Sequence, residues 1–262
     1  MPDFVTFARD HGLILDRVIA DGRVHRCRTE AKPRKRNGAY AFDGEHGFVQ
    51  DWTVHDRAIP FRGDGSNIVK KPLNRAVDER RERERAKIQA REILARCEVK
   101  AHPYLQAKGL RELGLVDKED GSLIVPMYAA ERYGDITSVQ RISETGEKKF
   151  LPGGRAKDAV FHLGRGDSDV LVEGYATGLT VMLALRELYR RARVVVCFSA
   201  GNLASVARYY KGRVIADNDA SKAGEEAAKK SGLPWSMPSE VGMDADDLRQ
   251  KEGIRAVCEL LS

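Results

Sequence analysis

The last hundred residues constrain this chain most, because they alternate strand-length apolar runs with helix-length amphipathic ones. Asp169 to Glu173, Val194 to Phe198 and Arg213 to Asp217 are short and rich in β-branched residues. Residues 177–191, 202–211 and 222–231 carry helical spacing between and after them. Apolar strands joined by helices form parallel sheets covered on both faces. The expected class here is therefore α/β.

The preceding residues read differently. Val24 to Arg28, Gly38 to Phe42 and Gly47 to Trp52 are strand-length alternations bounded by Gly, Asp or Asn, as in an antiparallel sheet. Residues 1–72 are expected to form a small β-rich region, with a basic turn at Lys32 to Gly38. Residues 73–99 mix Arg and Glu at three- and four-residue spacing with few apolar positions (Val77, Ile88, Ile93, Leu94), the pattern of a charged, mostly solvated connecting helix. Residues 100–165 return to strands and turns: a short helix from His102 to about Gly109, strands at 122–128 and 136–142, then 148–151 and 159–163 around a Pro-Gly-Gly turn. The whole is α/β plus α+β.

Charge follows the same division. Residues 1–99 carry 21 Lys and Arg against 16 Asp and Glu, residues 100–165 carry 11 against 9, and residues 166–262 carry 13 against 14. A basic front can meet a polyanion while the back gathers carboxylates. No run of 18 apolar residues exists and the first residues have no leader-like pattern, so neither a membrane span nor secretion is expected. Four cysteines without a CxxC pair read as reduced thiols in a cytoplasm.

Ligands of an open parallel sheet bind beyond the carboxyl ends of its strands. Glu173 closes the first strand, Asp217 the third, and Asp219 follows two residues on, pointing to the same side. Asp244, Asp246 and Asp247 cluster downstream. Carboxylates gathered at one edge repel unless a cation sits among them, and hard oxygen donors without His or Cys favour Mg²⁺ or Mn²⁺. The plain alternative for Asp217-Asn218-Asp219 is a turn and helix cap. Trp52 and Trp235 read as partly buried packing residues rather than base-stacking platforms, Cys197 and Met182 as core, and Tyr209-Tyr210 fits either role.

These motifs carry a resemblance. Val170-Leu171-Val172-Glu173-Gly174, Val214 to Asp219 and Asp244-Ala245-Asp246-Asp247-Leu248 resemble the three signatures of a Toprim domain, which DnaG-type primases, topoisomerases and several nucleases share. His102 to Leu105, Lys108-Gly109-Leu110, Pro126-Met127-Tyr128, Gln140-Arg141-Ile142 and Lys148 to Leu151 resemble the basic subdomain that precedes it in primases. His25-Arg26 and Arg36 to Tyr40 are similar to the front of conjugative-plasmid primases of the TraC kind and their phage relatives.

The resemblance implies a C-terminal Toprim domain with a Rossmann-like parallel sheet over 166–262, preceded by a basic primase subdomain over 100–165. It implies that Glu173, Asp217 and Asp219 are catalytic and bind two Mg²⁺ or Mn²⁺ ions, supported by Asp244 and Asp247. Arg141, Lys148, Lys149, Lys108 and Arg155 would hold template or nucleotide phosphates; for Arg141, Lys148 and Lys149 a solvated hairpin face is the other reading. The implied activity is a DNA primase, a nucleotidyltransferase making short RNA primers from ribonucleoside triphosphates on single-stranded DNA during replication. The setting would be a phage or mobile element in a bacterial cytoplasm, the chain monomeric, a replicative helicase supplied by another chain. The alternatives are a Toprim nuclease and a catalytically idle single-strand-binding protein. No zinc is expected, because His25, Cys27, His46 and His55 match no common zinc spacing. A GxxxxGK[ST] loop is missing, so no helicase motor is expected.

Overall fold

Five short strands, with burial alternating along the second and fifth, build the first of two units. The computed structural model describes residues 3–55, 57–63 and 75–262, and its contacts divide the chain into Met1–Ala76 and Val77–Ser262. In the first unit, helix α1 (Phe4–Asp10) starts at Asp3, whose carboxylate accepts the Thr6 N–H at 2.8 Å. Strands β1 (Leu13–Ile14), β2 (His25–Thr29), β3 (Gly38–Phe42), β4 (His46–Asp51) and β5 (Ile59–Arg62) follow in an antiparallel meander. Phe4 seats α1 on the sheet's inner face, stacking on Phe42 at 4.3 Å and edge-on to Phe61 at 5.2 Å. Trp52 is partly buried, as expected: it falls just past β4 on the outer face, 44% exposed, with the Arg26 guanidinium against its ring.

The second unit opens with helix α2 (Arg75–Arg96), β6 (Cys97–Lys100), α3 (Pro103–Ala107), β7 (Gly114–Asp117) and β8 (Leu123–Ala129). It continues through β9 (Ile136–Ile142), β10 (Lys148–Phe150), β11 (Ala159–Leu163), β12 (Asp169–Val172) and α4 (Tyr175–Glu187). It ends with β13 (Arg193–Val196), α5 (Ala200–Val206), β14 (Gly212–Ile215), α6 (Ala223–Ser231), β15 (Trp235–Ser236), α7 (Ala245–Glu252) and α8 (Ile254–Leu260). Residues 73 and 74 and the Val77 side chain lie outside the described residues.

The helix α2 exposes most of its described side chains, and one narrow face is buried. Ala86, Ala90 and Ile93, spaced as one helical face, are buried against Ile124, Ile136, Val139 and Leu151. Alanines among Arg and Glu give little apolar signal, which hid this stripe, whereas Ile88 is exposed.

Ten strands form one sheet, with its main path β10-β9-β8-β11-β13-β12-β14-β15 and with β7 and β6 attached beside β8. The strand β11 runs antiparallel to both β8 and β13, so the strand-rich stretch and the strand–helix stretch share a sheet. From β13 onward the pairing is parallel. Successive β12 residues face opposite layers: Val170 and Val172 pack with α4, α7 and α8, and Leu171 packs with α5 and α6. A Cβ on Gly178 would lie 2.9 Å from Val196, so glycine lets α4 settle this low on the sheet. The architecture is mixed α/β. Among the described residues no helix is long and apolar enough to cross a membrane.

Candidate active site

The strand β12 lies between β13 and β14, so the chain leaves β12 to one side and later returns on the other. That order opens a crevice at the carboxyl ends of the strands. Because β12 pairs in parallel with β14, Leu171 opposite Val214, Glu173 and Asp217 emerge side by side. The first turn of α6 closes over them. A Cβ at Gly224 would stand 2.2 Å from the Asp217 carbonyl oxygen and 3.1 Å from Glu173 Oε1, so only glycine fits there.

Glu173 Oε1 and Asp217 Oδ1 are buried without a hydrogen-bond partner. Burial and the neighbouring Glu173 and Asp244 charges push Asp217 up to about 8, against a smaller opposing effect of Lys148. Glu173 is raised by burial first and then by Asp219 and Asp244, while the Ala200 N–H and Lys148 work the other way. Buried carboxylate oxygens are rarely left unsatisfied, because the desolvation cost is not returned.

The other predicted carboxylates are engaged. Asp219 accepts from the N–H groups of Ser221 at 3.0 Å and Gly224 at 3.0 Å and from the Ser221 hydroxyl, which hold its carboxyl below the usual range. It thus does the capping work that an Asp-x-Asp at a strand end does by default. Asp244 caps α7, accepting from Asp246 and Asp247 N–H at 2.7 and 2.9 Å, and its second oxygen accepts from the Thr177 hydroxyl at 3.1 Å. Asp247 completes the capping box by accepting the Asp244 N–H at 3.1 Å. Asp246, fully buried, accepts from Lys108 Nζ at 2.8 Å, Thr180 Oγ1 at 2.6 Å, Arg249 and Gln250.

The five predicted cations separate in the same way. Lys108 is the half-buried partner of the buried Asp246, and Arg141 pairs with Asp117 at 2.9 Å and Asp120 at 2.5 Å. Arg155 pairs with Glu131 at 2.8 Å, and Lys149 with Glu147 at 2.9 Å on the exposed hairpin. Lys148 meets no carboxylate among the described residues. Its Nζ stands 3.8 Å from where a Cβ on Gly174 would be, beside the Glu173 turn. The Gly174 backbone is ordinary (φ −104°, ψ 157°), so this glycine gives room and not a left-handed turn.

Two site residues carry no clear sequence signal. Thr177 ties α4 to Asp244. Phe198 holds a left-handed φ of 69° while its N–H donates to the Glu173 carbonyl at 2.7 Å. Such a backbone is costly for an aromatic residue and marks a constrained turn.

Among the described residues no three His, Cys, Asp or Glu side chains converge into a ready metal-ligand set. Two unsatisfied, hard carboxylate oxygens on neighbouring strand ends nevertheless suit Mg²⁺ or Mn²⁺, since Mg²⁺ commonly takes one or two carboxylates and completes its shell with water and phosphate.

No family model matches the chain. The DNA primase TraC of Escherichia coli is 33% identical over 115 residues, which make up 40% of this chain and 7% of that relative. The match therefore spans a small part of the relative's length. Among solved structures, the primase fragment of the bacteriophage T7 primase-helicase protein is 21% identical with a TM-score of 0.41, covering 61% of this chain and 70% of that one. The DnaG primase catalytic domain bound to single-stranded DNA is 15% identical with a TM-score of 0.38, covering 73% and 74%. Over those 115 residues, this chain is similar to a DNA primase.

Proposed function

We propose that this chain carries the catalytic core of a DNA primase on a Toprim-like α/β domain, joining ribonucleotides on a single-stranded DNA template. The observation that carries the reading is the pair of buried, unpartnered oxygens, Glu173 Oε1 and Asp217 Oδ1, at adjoining strand ends. The identity with TraC supports the same chemistry. Glu173 and Asp217 would hold Mg²⁺ or Mn²⁺, with Asp219 and Asp244 adding negative field from positions fixed by their own hydrogen bonds. Two such ions would lower the pKa of a primer 3′-hydroxyl and neutralise the triphosphate as pyrophosphate leaves. Lys148 would draw phosphates toward the carboxylates, which would otherwise repel them. Asp219 fixes the 217–224 turn and so the direction of Asp217. Ribonucleoside triphosphates, template strand and a helicase on another chain are the partners of this reading.

The test is incubation of the full chain with single-stranded DNA, four labelled ribonucleotides and Mg²⁺. Short RNA oligomers that disappear with Asp217→Asn are expected. A shortened template would point to a nuclease at the same carboxylates. Neither product would leave a binding protein.

A further inference from the structure

The first unit has a basic groove that the catalytic reading does not use. Between the 15–24 loop, β2 and the 34–36 turn runs a groove of about 1010 Å³, lined by Arg17, Arg28, Arg34 and Arg36 over Tyr40. Residues 16–36 hold eight Lys and Arg against three Asp and Glu. Two of those acids are taken, Asp16 by Arg28 at 2.6 Å and Asp21 by His25 at 2.8 Å. Arg26, Lys32, Arg34, Lys35 and Arg36 are exposed and meet no carboxylate among the described residues.

Arg26 links this groove to an aromatic platform. Its Nε and Nη2 donate to the Arg36 carbonyl at 3.2 and 2.8 Å, and its guanidinium lies 4.1 Å over the Trp52 ring. Ala39, opposite Arg26 in β3 and opposite Gln50 in β4, keeps the sheet surface low between them. Clustered cations without counter-charges attract phosphates, and an exposed indole offers a stacking face to an unpaired base. A duplex would present its phosphates but hide its base faces.

We propose that the groove between the 15–24 loop and the 34–36 turn, with Trp52 beside it, is a binding site for single-stranded nucleic acid, the cations tracking the backbone and the indole taking a base. This site stands apart from the primase reading and holds or fails without it.

The test uses the full chain in EDTA, so that divalent cations at Glu173 and Asp217 do not contribute. The chain has two tryptophans, so Trp235→Phe leaves Trp52 as its sole tryptophan. Titration with an oligothymidylate is expected to quench that fluorescence, and a duplex of equal length is not. Trp52→Ala should weaken single-strand binding on the order of tenfold. Arg34→Ala with Arg36→Ala should lower the log–log salt slope by about 1.4, at roughly 0.7 per lost phosphate contact. Thermal melting checks that each variant keeps its fold, and the quench in the Trp235→Phe protein decides if a groove variant does not. No quench, equal quench by duplex, or a folded double-arginine variant with wild-type affinity and slope would overturn the site.

Discussion

Two groups of acidic residues meet the same crevice, and they differ in what surrounds them. Asp246 is fully buried yet receives Lys108, Thr180, Arg249 and Gln250, and these donors hold its carboxyl below the usual range although burial pushes upward. Asp217 is buried with one oxygen unpartnered, and burial with the Glu173 charge pushes it up to about 8. Burial is common to both; satisfaction is not. The downstream acids are fastenings for α7, while the strand-end pair keeps capacity for a cation.

The largest expected effect lies on the satisfied side. Lys108→Ala removes one charged donor from the buried Asp246 and leaves Arg249 on it, so it should cost about 2 kcal/mol, read as a lower urea midpoint. Asp246 adds stability above its ordinary pKa, and that part is lost as pH falls through its depressed folded value. A Lys108→Ala variant as stable as the parent but weaker in template binding would return Lys108 to the phosphate groove.

Asp217→Asn should do the opposite, raising the melting temperature by a few degrees near pH 8 without divalent cations. The folded state holds the Asp217 proton above the unfolded pKa, so the stability this group contributes falls as pH rises from about 4 to about 8. The Asn variant should flatten that part of the pH–stability curve. An unchanged curve would mean that the Asp217 charge is compensated after all.

Smaller effects separate the cations of the β9–β10 hairpin. Asp117 is fully buried and held down to about 2, chiefly by Arg96 and helped by Arg141. Arg141→Ala should therefore lower stability by more than 1 kcal/mol, with little change in the salt dependence of single-strand binding. Lys148→Ala should leave melting unchanged and lower that salt slope by about 0.7. Lys149→Ala, removing an exposed pair with Glu147, should shift stability by less than about 1 kcal/mol. A reversed pattern for Arg141 and Lys148 would dissolve the distinction between fastening and binding cations.

Much of the strand–helix alternation was legible because β-branched runs such as Val170 to Val172 and Val214 to Ile215 lie buried on both faces. Glu173 and Asp217 were legible as strand-end carboxylates for the same reason. The capping by Asp219 was legible too, as the plain alternative for Asp217-Asn218-Asp219, but the work done by Asp247, Lys108 and Arg141 was not. Lys108 and Arg141 donate to carboxylates distant in sequence, and Asp247 accepts from a backbone N–H, which carries no residue identity. The buried face of α2 was hidden because Ala86 and Ala90 sit among charges. The partner of Trp52 was hidden because Arg26 comes from a different strand.

The central claim is that the two unpartnered oxygens are a cation site. Mn²⁺ uptake, followed by the loss of the free-ion electron paramagnetic resonance signal, tests it directly in the parent chain, Glu173→Gln, Asp217→Asn and Asp247→Asn. The account predicts uptake by the parent and by Asp247→Asn, and its loss in Glu173→Gln and Asp217→Asn. Parent-like uptake by Asp217→Asn in a folded protein would contradict it.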